Sequence, residues 1–175
     1  MKNKILVMCE GPNEKAIIDI LLDNRRLVFE RDDLIDLSIF HARQLNDPQL
    51  LFPLQAYSGR FDIYRIGDTQ KEELKLKDYK DRVNKINKYC TKPELEMLLI
   101  ISEKLVDSYN KGRIKPKDFA KSNIVYNRQR YDNSTKFYEK YYEDVDKLVE
   151  AINEYKRIKT HDKDEQYLAD LLIDK

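Results

Sequence analysis

KILVMCEGPNEKAIIDILLDN, residues 4–24, joins a short apolar run to an amphipathic segment. The run Ile5–Met8 contains no polar residue, which is typical of a strand buried on both faces of a parallel sheet. Apolar residues recur at helical spacing after Pro12, and proline is favoured in the first turn of a helix. The stretch therefore predicts a strand, a turn at Glu10-Gly11 and a helix that begins near Pro12. This unit predicts an α/β fold.

Three further segments have the composition of strands. They are Leu34–Phe40, Phe61–Ile66 and Val83–Cys90, although the apolar spacing of the last one suits a helix nearly as well. A helix predicted over residues 46–57 separates the first two, which gives the alternation of strand and helix found in βαβ units. We expect a mainly parallel sheet of about four strands flanked by helices.

The remainder of the chain is predicted to be helical. Thr91 is a candidate cap for a helix that runs to about Asn110, and two more helices follow Ser134 with a break near Thr160. The tyrosines at 138, 141 and 142 lie on one stripe of the first of these two helices, which predicts a packing face. We expect residues 1–112 to form the α/β domain and residues 113–175 to form a helical extension packed on it.

Composition excludes several classes of protein. The 33 basic and 32 acidic residues nearly cancel, so a nucleic-acid ligand would need local basic clusters rather than bulk charge. One such cluster, at residues 127–130, contains Arg128 and Arg130. No stretch is long and apolar enough for a membrane span, so we expect no membrane partner. Two cysteines and two isolated histidines do not form a zinc motif. We expect a cytoplasmic location.

Acidic residues stand where predicted strands end or helices begin. Glu10 follows the first strand with Glu14 one turn later, Asp68 follows the strand 61–66, and Glu96 lies near the start of the predicted helix at 91. If the first and third strands are neighbours, Glu10 and Asp68 leave the sheet about 5 Å apart. Two such carboxylates suffice for Mg²⁺, which keeps several of its waters. Each of these acidic residues has an alternative role as a solvated surface charge or a helix-capping group.

The segment CEGPNEKAIIDILL resembles the opening motif of TOPRIM domains, and Glu10, Gly11 and Glu14 are the matching positions. The resemblance implies a Rossmann-like TOPRIM fold and Mg²⁺- or Mn²⁺-dependent chemistry on a phosphodiester. The resemblance covers roughly the first 100 residues. Similar opening motifs occur in nucleases of the OLD family and in small TOPRIM proteins of bacterial and phage defence systems. The Asp-x-Asp motif of the family is incomplete here, because Asp68 matches the first aspartate and Gln70 stands in place of the second.

The resemblance assigns roles to particular residues. It implies that Glu10 and Asp68 hold the metal, and that Glu10, Asp68, Glu14 and Glu96 carry the catalysis. Pro93–Glu96 resembles a later family motif, Pro-x-x-Glu, on which the assignment of Glu96 rests.

Four basic residues are candidates for binding phosphate or nucleic acid. Arg65 and Lys71 flank Asp68 in the sequence, and Arg128 and Arg130 lie in the basic cluster. Each has an alternative role as an ordinary surface charge.

The resemblance implies a metal-dependent nuclease that acts on nucleic acid, with a role in phage defence. Three alternatives stay open at this point. A non-catalytic module that binds nucleic acid or a protein is favoured by the missing second aspartate, and an enzyme acting on nucleotides would use the same architecture. The tyrosine-rich helical region is also a candidate surface for contact with a second copy of the chain or with a partner protein of a defence system.

Overall fold

A five-stranded sheet forms the centre of the fold in the computed structural model, which describes residues 3–68 and 72–173. The strands and helices follow in the order β1 (Lys4–Cys9), α1 (Pro12–Asp23), β2 (Leu34–His41), α2 (Pro48–Ala56), β3 (Phe61–Gly67), β4 (Val83–Cys90), α3 (Met97–Ser102), α4 (Val106–Lys111), α5 (Pro116–Asn123), β5 (Val125–Tyr126), β6 (Gln129–Arg130), α6 (Thr135–Tyr141), α7 (Val145–Ile158) and β7 (Glu165–Gln166). Short 3₁₀ helices lie at Arg31–Asp33, Lys77–Tyr79 and Leu168–Leu171.

The strand order in the sheet is β2-β1-β3-β4-β7, and every neighbouring pair is parallel. The α/β fold with a parallel sheet, helices on its faces and a helical C-terminal region is therefore confirmed, and it is consistent with a Rossmann-like fold. The sheet has a fifth strand in addition to the four expected, because β7 pairs with β4. β5 and β6 form a separate antiparallel hairpin.

Two hydrophobic cores cover the two faces of the sheet. The larger core packs α1, α3, α5, α6 and α7 against alternate residues of β1 such as Val7 and Cys9. The smaller one packs α2 and Leu74 against the other face, which includes Leu6 and Met8. Complete burial of both faces explains why β1 is a continuous apolar run. No helix in the described parts of the chain has the length and apolar character needed to cross a membrane.

The helix expected from Thr91 to about Asn110 begins later than predicted and is divided into α3 and α4, whereas its predicted end is confirmed by the end of α4 at Lys111. Thr91 instead continues the sheet ladder, because its amide donates to the carbonyl of Gly67 at 3.1 Å, and α3 begins only at Met97. Lys104 has a φ of 57°, a left-handed conformation that separates α3 from α4. The helical region does break near Thr160, because α7 ends at Ile158, but β7 and a 3₁₀ helix follow there in place of the second expected helix. A further break separates α6 from α7, where the Asp144 side chain caps α7.

The C-terminal region contributes to the same core and the same sheet as the N-terminal one. Leu171 and Leu172 belong to the larger core, and Leu172 forms an antiparallel bridge with Leu27. The division at residue 112 stays a prediction, but residues on both sides of it build one sheet.

Candidate functional site: a cavity lined by carboxylates

Glu10 and Asp68 leave the sheet side by side. β1 and β3 are parallel neighbours, with Cys9 opposite Ile66, so both strands end at the same edge. The Glu10 amide donates to the Ile66 carbonyl at 2.8 Å, which extends the ladder one residue beyond the strand. The expectation that the first and third strands are neighbours is confirmed, and ligands of parallel α/β sheets bind at this edge.

The four acidic residues singled out in the sequence line one cavity of about 230 Å³. They come from three places in the chain: the β1–α1 junction, the end of β3 and the segment before α3. The complete lining is Glu10, Gly11, Pro12, Asn13, Glu14, Arg43, Asp68, Leu95, Glu96, Lys117 and Asn133. The fold therefore brings together carboxylates that are up to 86 positions apart in the numbering.

Two glycines make room for these carboxylates. A Cβ at Gly67 would lie 2.8 Å from the Glu10 Cβ and closer still to its carboxylate. A Cβ at Gly11 would lie 2.5 Å from Oε2 of Glu14. Both distances are too short for real contacts, so any larger residue would displace the acidic side chain. At Gly11 the close atom is the end of the flexible Glu14 side chain, whereas at Gly67 it includes the Glu10 Cβ, so Gly67 is the more restricted of the two positions.

Burial and neighbouring charge raise the pKa of two of these carboxyl groups, Asp68 and Glu14. Burial, followed by the nearby charges of Glu14, Glu96 and Glu10, raises the pKa of Asp68 to about 7. Burial also raises the pKa of Glu14, and Glu10 and Glu96 add to the effect, whereas the Glu14 backbone amide and Lys117 oppose it. Since like charges disfavour ionisation, the cavity has more negative charge than its own cations neutralise.

Two cations line the cavity, Arg43 and Lys117, and neither is among the four basic residues proposed above for binding phosphate or nucleic acid. Arg43 Nη2 lies 3.7 Å from Glu10 Oε1, and its Nε donates to the Glu10 carbonyl at 3.3 Å. Lys117, in the first turn of α5, lies close enough to lower the pKa of Glu14. Arg43 follows the end of β2, the other neighbour of β1, and this position is the signal that would have found it. No comparable local signal exists for Lys117, because a loop and two helices separate it from the sheet.

The basic residues proposed for phosphate binding lie elsewhere or outside the described residues. Arg65 is buried on the other side of Glu10, in a smaller cavity of about 30 Å³, where its Nη1 donates to the Glu72 carbonyl at 2.9 Å. Burial lowers the pKa of Arg65, and the charges of Glu10 and Glu72 oppose that change. Lys71 falls outside the described residues, as does Gln70.

Arg128 and Arg130 belong to the β5–β6 hairpin and do not line the cavity. Arg130 donates to the carbonyls of Lys121 and Ser122 at the C-terminal end of α5, a favourable position for a cation. Lys117 lies at the opposite end of the same helix. A nucleic-acid contact by Arg128 or Arg130 stays a prediction. Neither residue lines the cavity that contains the four carboxylates.

The donor set of the cavity suits a hard divalent cation. Mg²⁺ prefers oxygen ligands and is often bound by only one or two carboxylates together with water. Glu10 Oε2 and Asn13 Oδ1 are buried and accept no hydrogen bond from any described residue, so both oxygens would gain from a cation or its waters. Among the described residues, no three His, Cys, Asp or Glu side chains are arranged to hold a metal. The cavity therefore fits a hydrated ion better than a fully protein-coordinated one.

No protein-family model, curated protein or solved structure matches this chain, so the resemblance of its CEGPNE segment to the TOPRIM opening motif stays a prediction.

Proposed function

We propose that this protein is a Mg²⁺-dependent nuclease that cleaves phosphodiester bonds in DNA or RNA. The observation that carries the proposal is the convergence of Glu10, Glu14, Asp68 and Glu96 on one cavity at the carboxyl edge of a parallel sheet. The raised pKa of Asp68 supports it, because such crowding of carboxylates is costly unless a cation is bound. The TOPRIM resemblance at Glu10, Gly11 and Glu14 leads to the same class of reaction.

The proposed roles follow from position and charge. Glu10 and Asp68 hold the cation, and Glu14 and Glu96 add negative charge around it. A bound Mg²⁺ supplies the positive charge that polarises a phosphate and stabilises the leaving oxygen. Glu10, whose Oε2 has no hydrogen-bond donor among the described residues, is the proposed general acid or base. Arg43 and Lys117 are the cations positioned to attract phosphate.

A cytoplasmic location belongs to the same proposal. Cys9 and Cys90 are both buried and free, which agrees with a compartment in which disulfides are rare.

The test is cleavage of single- and double-stranded DNA and RNA with Mg²⁺ or Mn²⁺, combined with Mn²⁺ titration calorimetry. Glu10→Gln and Asp68→Asn each remove a charge with little change in shape. Asp81→Asn and Glu150→Gln are the matched controls, since both residues are exposed and distant in sequence from the cavity-lining set. We expect metal-dependent cleavage by the native chain and both controls, and a loss of about 100-fold or more in both site variants.

Three results would contradict the proposal. Cleavage that survives in both site variants would place the activity outside this cavity. Absence of both cleavage and Mn²⁺ binding would favour the alternative, a non-catalytic module that binds nucleic acid or a protein partner. Saturable binding of a mononucleotide without cleavage of polymers would instead favour an enzyme acting on nucleotides.

A further inference from the structure

A buried tyrosine from the C-terminal region contacts one of the four carboxylates. Tyr131 directly follows β6, and its hydroxyl donates to Glu96 Oε1 at 2.7 Å. Glu96 is 3% exposed and Tyr131 is 2% exposed, so water does not compete for this hydrogen bond. The Tyr138 hydroxyl lies 3.2 Å from that of Tyr131 and is positioned to donate to it. A short chain of hydroxyl groups thus ends on the Glu96 carboxylate.

The segment that carries Tyr131 is also tied to the start of α1. Asn13 Nδ2 donates to the carbonyl and to the side-chain oxygen of Asn133, each at 3.2 Å. The carbonyl only accepts hydrogen bonds, so this contact fixes which end of the Asn13 amide is the nitrogen. Asn13 is next to Glu14 and lines the cavity, as does Asn133. Residues 131–133 therefore connect Glu96 with the turn that carries Glu10 and Glu14.

We propose that Tyr131 is a positioning residue for Glu96: its hydroxyl fixes one carboxylate oxygen, so that the other one faces the cation. This inference rests on the proposed function. Among the described residues, Glu96 Oε1 accepts the hydrogen bond from Tyr131 and no donor bonds to Oε2. A charged acceptor makes the contact stronger than a neutral hydrogen bond, and partners of this kind orient carboxylates that bind metals.

The competing explanation is that Tyr131 is a core tyrosine whose hydroxyl happens to find an acceptor. Tyr142 provides a matched control for it. Tyr142 is also buried, its hydroxyl lies 3.1 Å from Ser102 Oγ, and neither residue lines the cavity. Replacing either tyrosine by phenylalanine removes one buried hydroxyl group. The Tyr131 hydroxyl lies within hydrogen-bond distance of Glu96, Asn133 and Tyr138, and the Tyr142 hydroxyl of Ser102. Only Tyr131→Phe, however, alters a contact with one of the four carboxylates that line the cavity.

The experiment is Mn²⁺ titration calorimetry on the full chain, with unfolding curves recorded for every variant. We expect Tyr131→Phe to weaken Mn²⁺ binding about 3- to 10-fold, because Glu96 adds charge beside the cation; the loss of a partner of a metal ligand itself costs about 10- to 100-fold. We expect Tyr142→Phe to bind Mn²⁺ within about twofold of the native chain even if its stability falls equally. Because Tyr131 acts through Glu96, Tyr131→Phe should add no more than about twofold to the effect of Glu96→Gln.

The outcomes separate the two proposals. Native Mn²⁺ affinity in Tyr131→Phe, or an equal loss in Tyr142→Phe, would overturn the positioning role and leave the nuclease proposal standing. Absence of Mn²⁺ binding by the native chain would overturn both. If Tyr131→Phe does not fold, Tyr138→Phe decides the matter, because it removes the hydroxyl that polarises Tyr131. A loss of about threefold or more supports the role, and an unchanged affinity overturns it.

Discussion

Replacement of Asp68 by asparagine is expected to stabilise the protein while it removes the proposed activity. The Asp68 carboxylate is surrounded by Glu10, Glu14 and Glu96, and together with burial they raise its pKa from 3.8 to about 7. In the unfolded chain the same group ionises near 3.8. Ionisation of Asp68 therefore costs free energy in the folded state and not in the unfolded state. Asparagine has nearly the same shape and keeps the Oδ1 acceptor for the Thr91 hydroxyl, which lies at 3.5 Å.

The magnitude follows from the pKa values. A rise from 3.8 to about 7 corresponds to about 4 kcal/mol of unfolding free energy. Partial exposure and screening reduce the expected gain to about 2 kcal/mol, or about 4–8 °C in Tm for a chain of this size. Well below pH 3.8 the group is protonated in both states and costs nothing. Native stability is then lost as the pH rises from 4 to 7, because the folded state holds its proton longer than the unfolded state.

The assay is urea unfolding of the native chain, Asp68→Asn and the exposed control Asp81→Asn at pH 4 and pH 8, without divalent ions. Asp68→Asn should be more stable than the native chain at pH 8 and nearly equal to it at pH 4, whereas Asp81→Asn should follow the native chain at both. Added Mg²⁺ should stabilise the native chain and narrow the gap. An equal difference at pH 4 and pH 8, or none at either, would refute the reasoning.

Three further substitutions test other parts of the structure. Gly67→Ala should leave the far-UV circular dichroism spectrum unchanged but weaken Mn²⁺ binding by about tenfold or more, because the new Cβ would displace Glu10. Unchanged Mn²⁺ affinity would contradict the close approach of Gly67 to the Glu10 side chain. Arg130→Ala should cost about 0.5–1.5 kcal/mol in urea unfolding, since it deprives the last carbonyls of α5 of a donor, and should leave Mn²⁺ affinity intact; a loss of Mn²⁺ affinity would place Arg130 in the site. Leu171→Ala should cost about 2–5 kcal/mol because that side chain is fully buried, whereas a small cost would mean that the segment is dispensable.

The sequence predicts the elements whose signal is local. β1, α1 and β3 each have a regular pattern of apolar residues, and the structure places them within a residue or two of the expected bounds. β4 also has its expected bounds, although its apolar spacing suits a helix nearly as well. The tyrosines at 138, 141 and 142 are buried in the larger core, as the stripe predicts. The convergence of Glu10 with Asp68 was also predictable, because it needs only the order of two neighbouring strands.

Features that depend on distant contacts were not predictable. The helix cap expected at Thr91 competes with a ladder hydrogen bond to Gly67, and the adjacent Lys92 carbonyl accepts from the Tyr155 hydroxyl at 2.9 Å. β7 consists of two polar residues with no periodicity of their own, so only their pairing with β4 makes them a strand. The contributions of Lys117 and Tyr131 to the site likewise depend on how the helical region packs.

The pairing of β7 with β4 also has a consequence for how the chain folds during synthesis. The Lys88 side chain on β4 bonds to Asp164, 76 positions later, so a ribosome completes β4 long before its neighbour exists. Parallel pairings between such distant segments form slowly. Until then the nascent chain displays β4 as an open edge, with Ile86 exposed even in the folded protein. We therefore expect aggregation during expression to arise from incomplete chains, and a shorter interval between the synthesis of β4 and that of β7 to raise the yield.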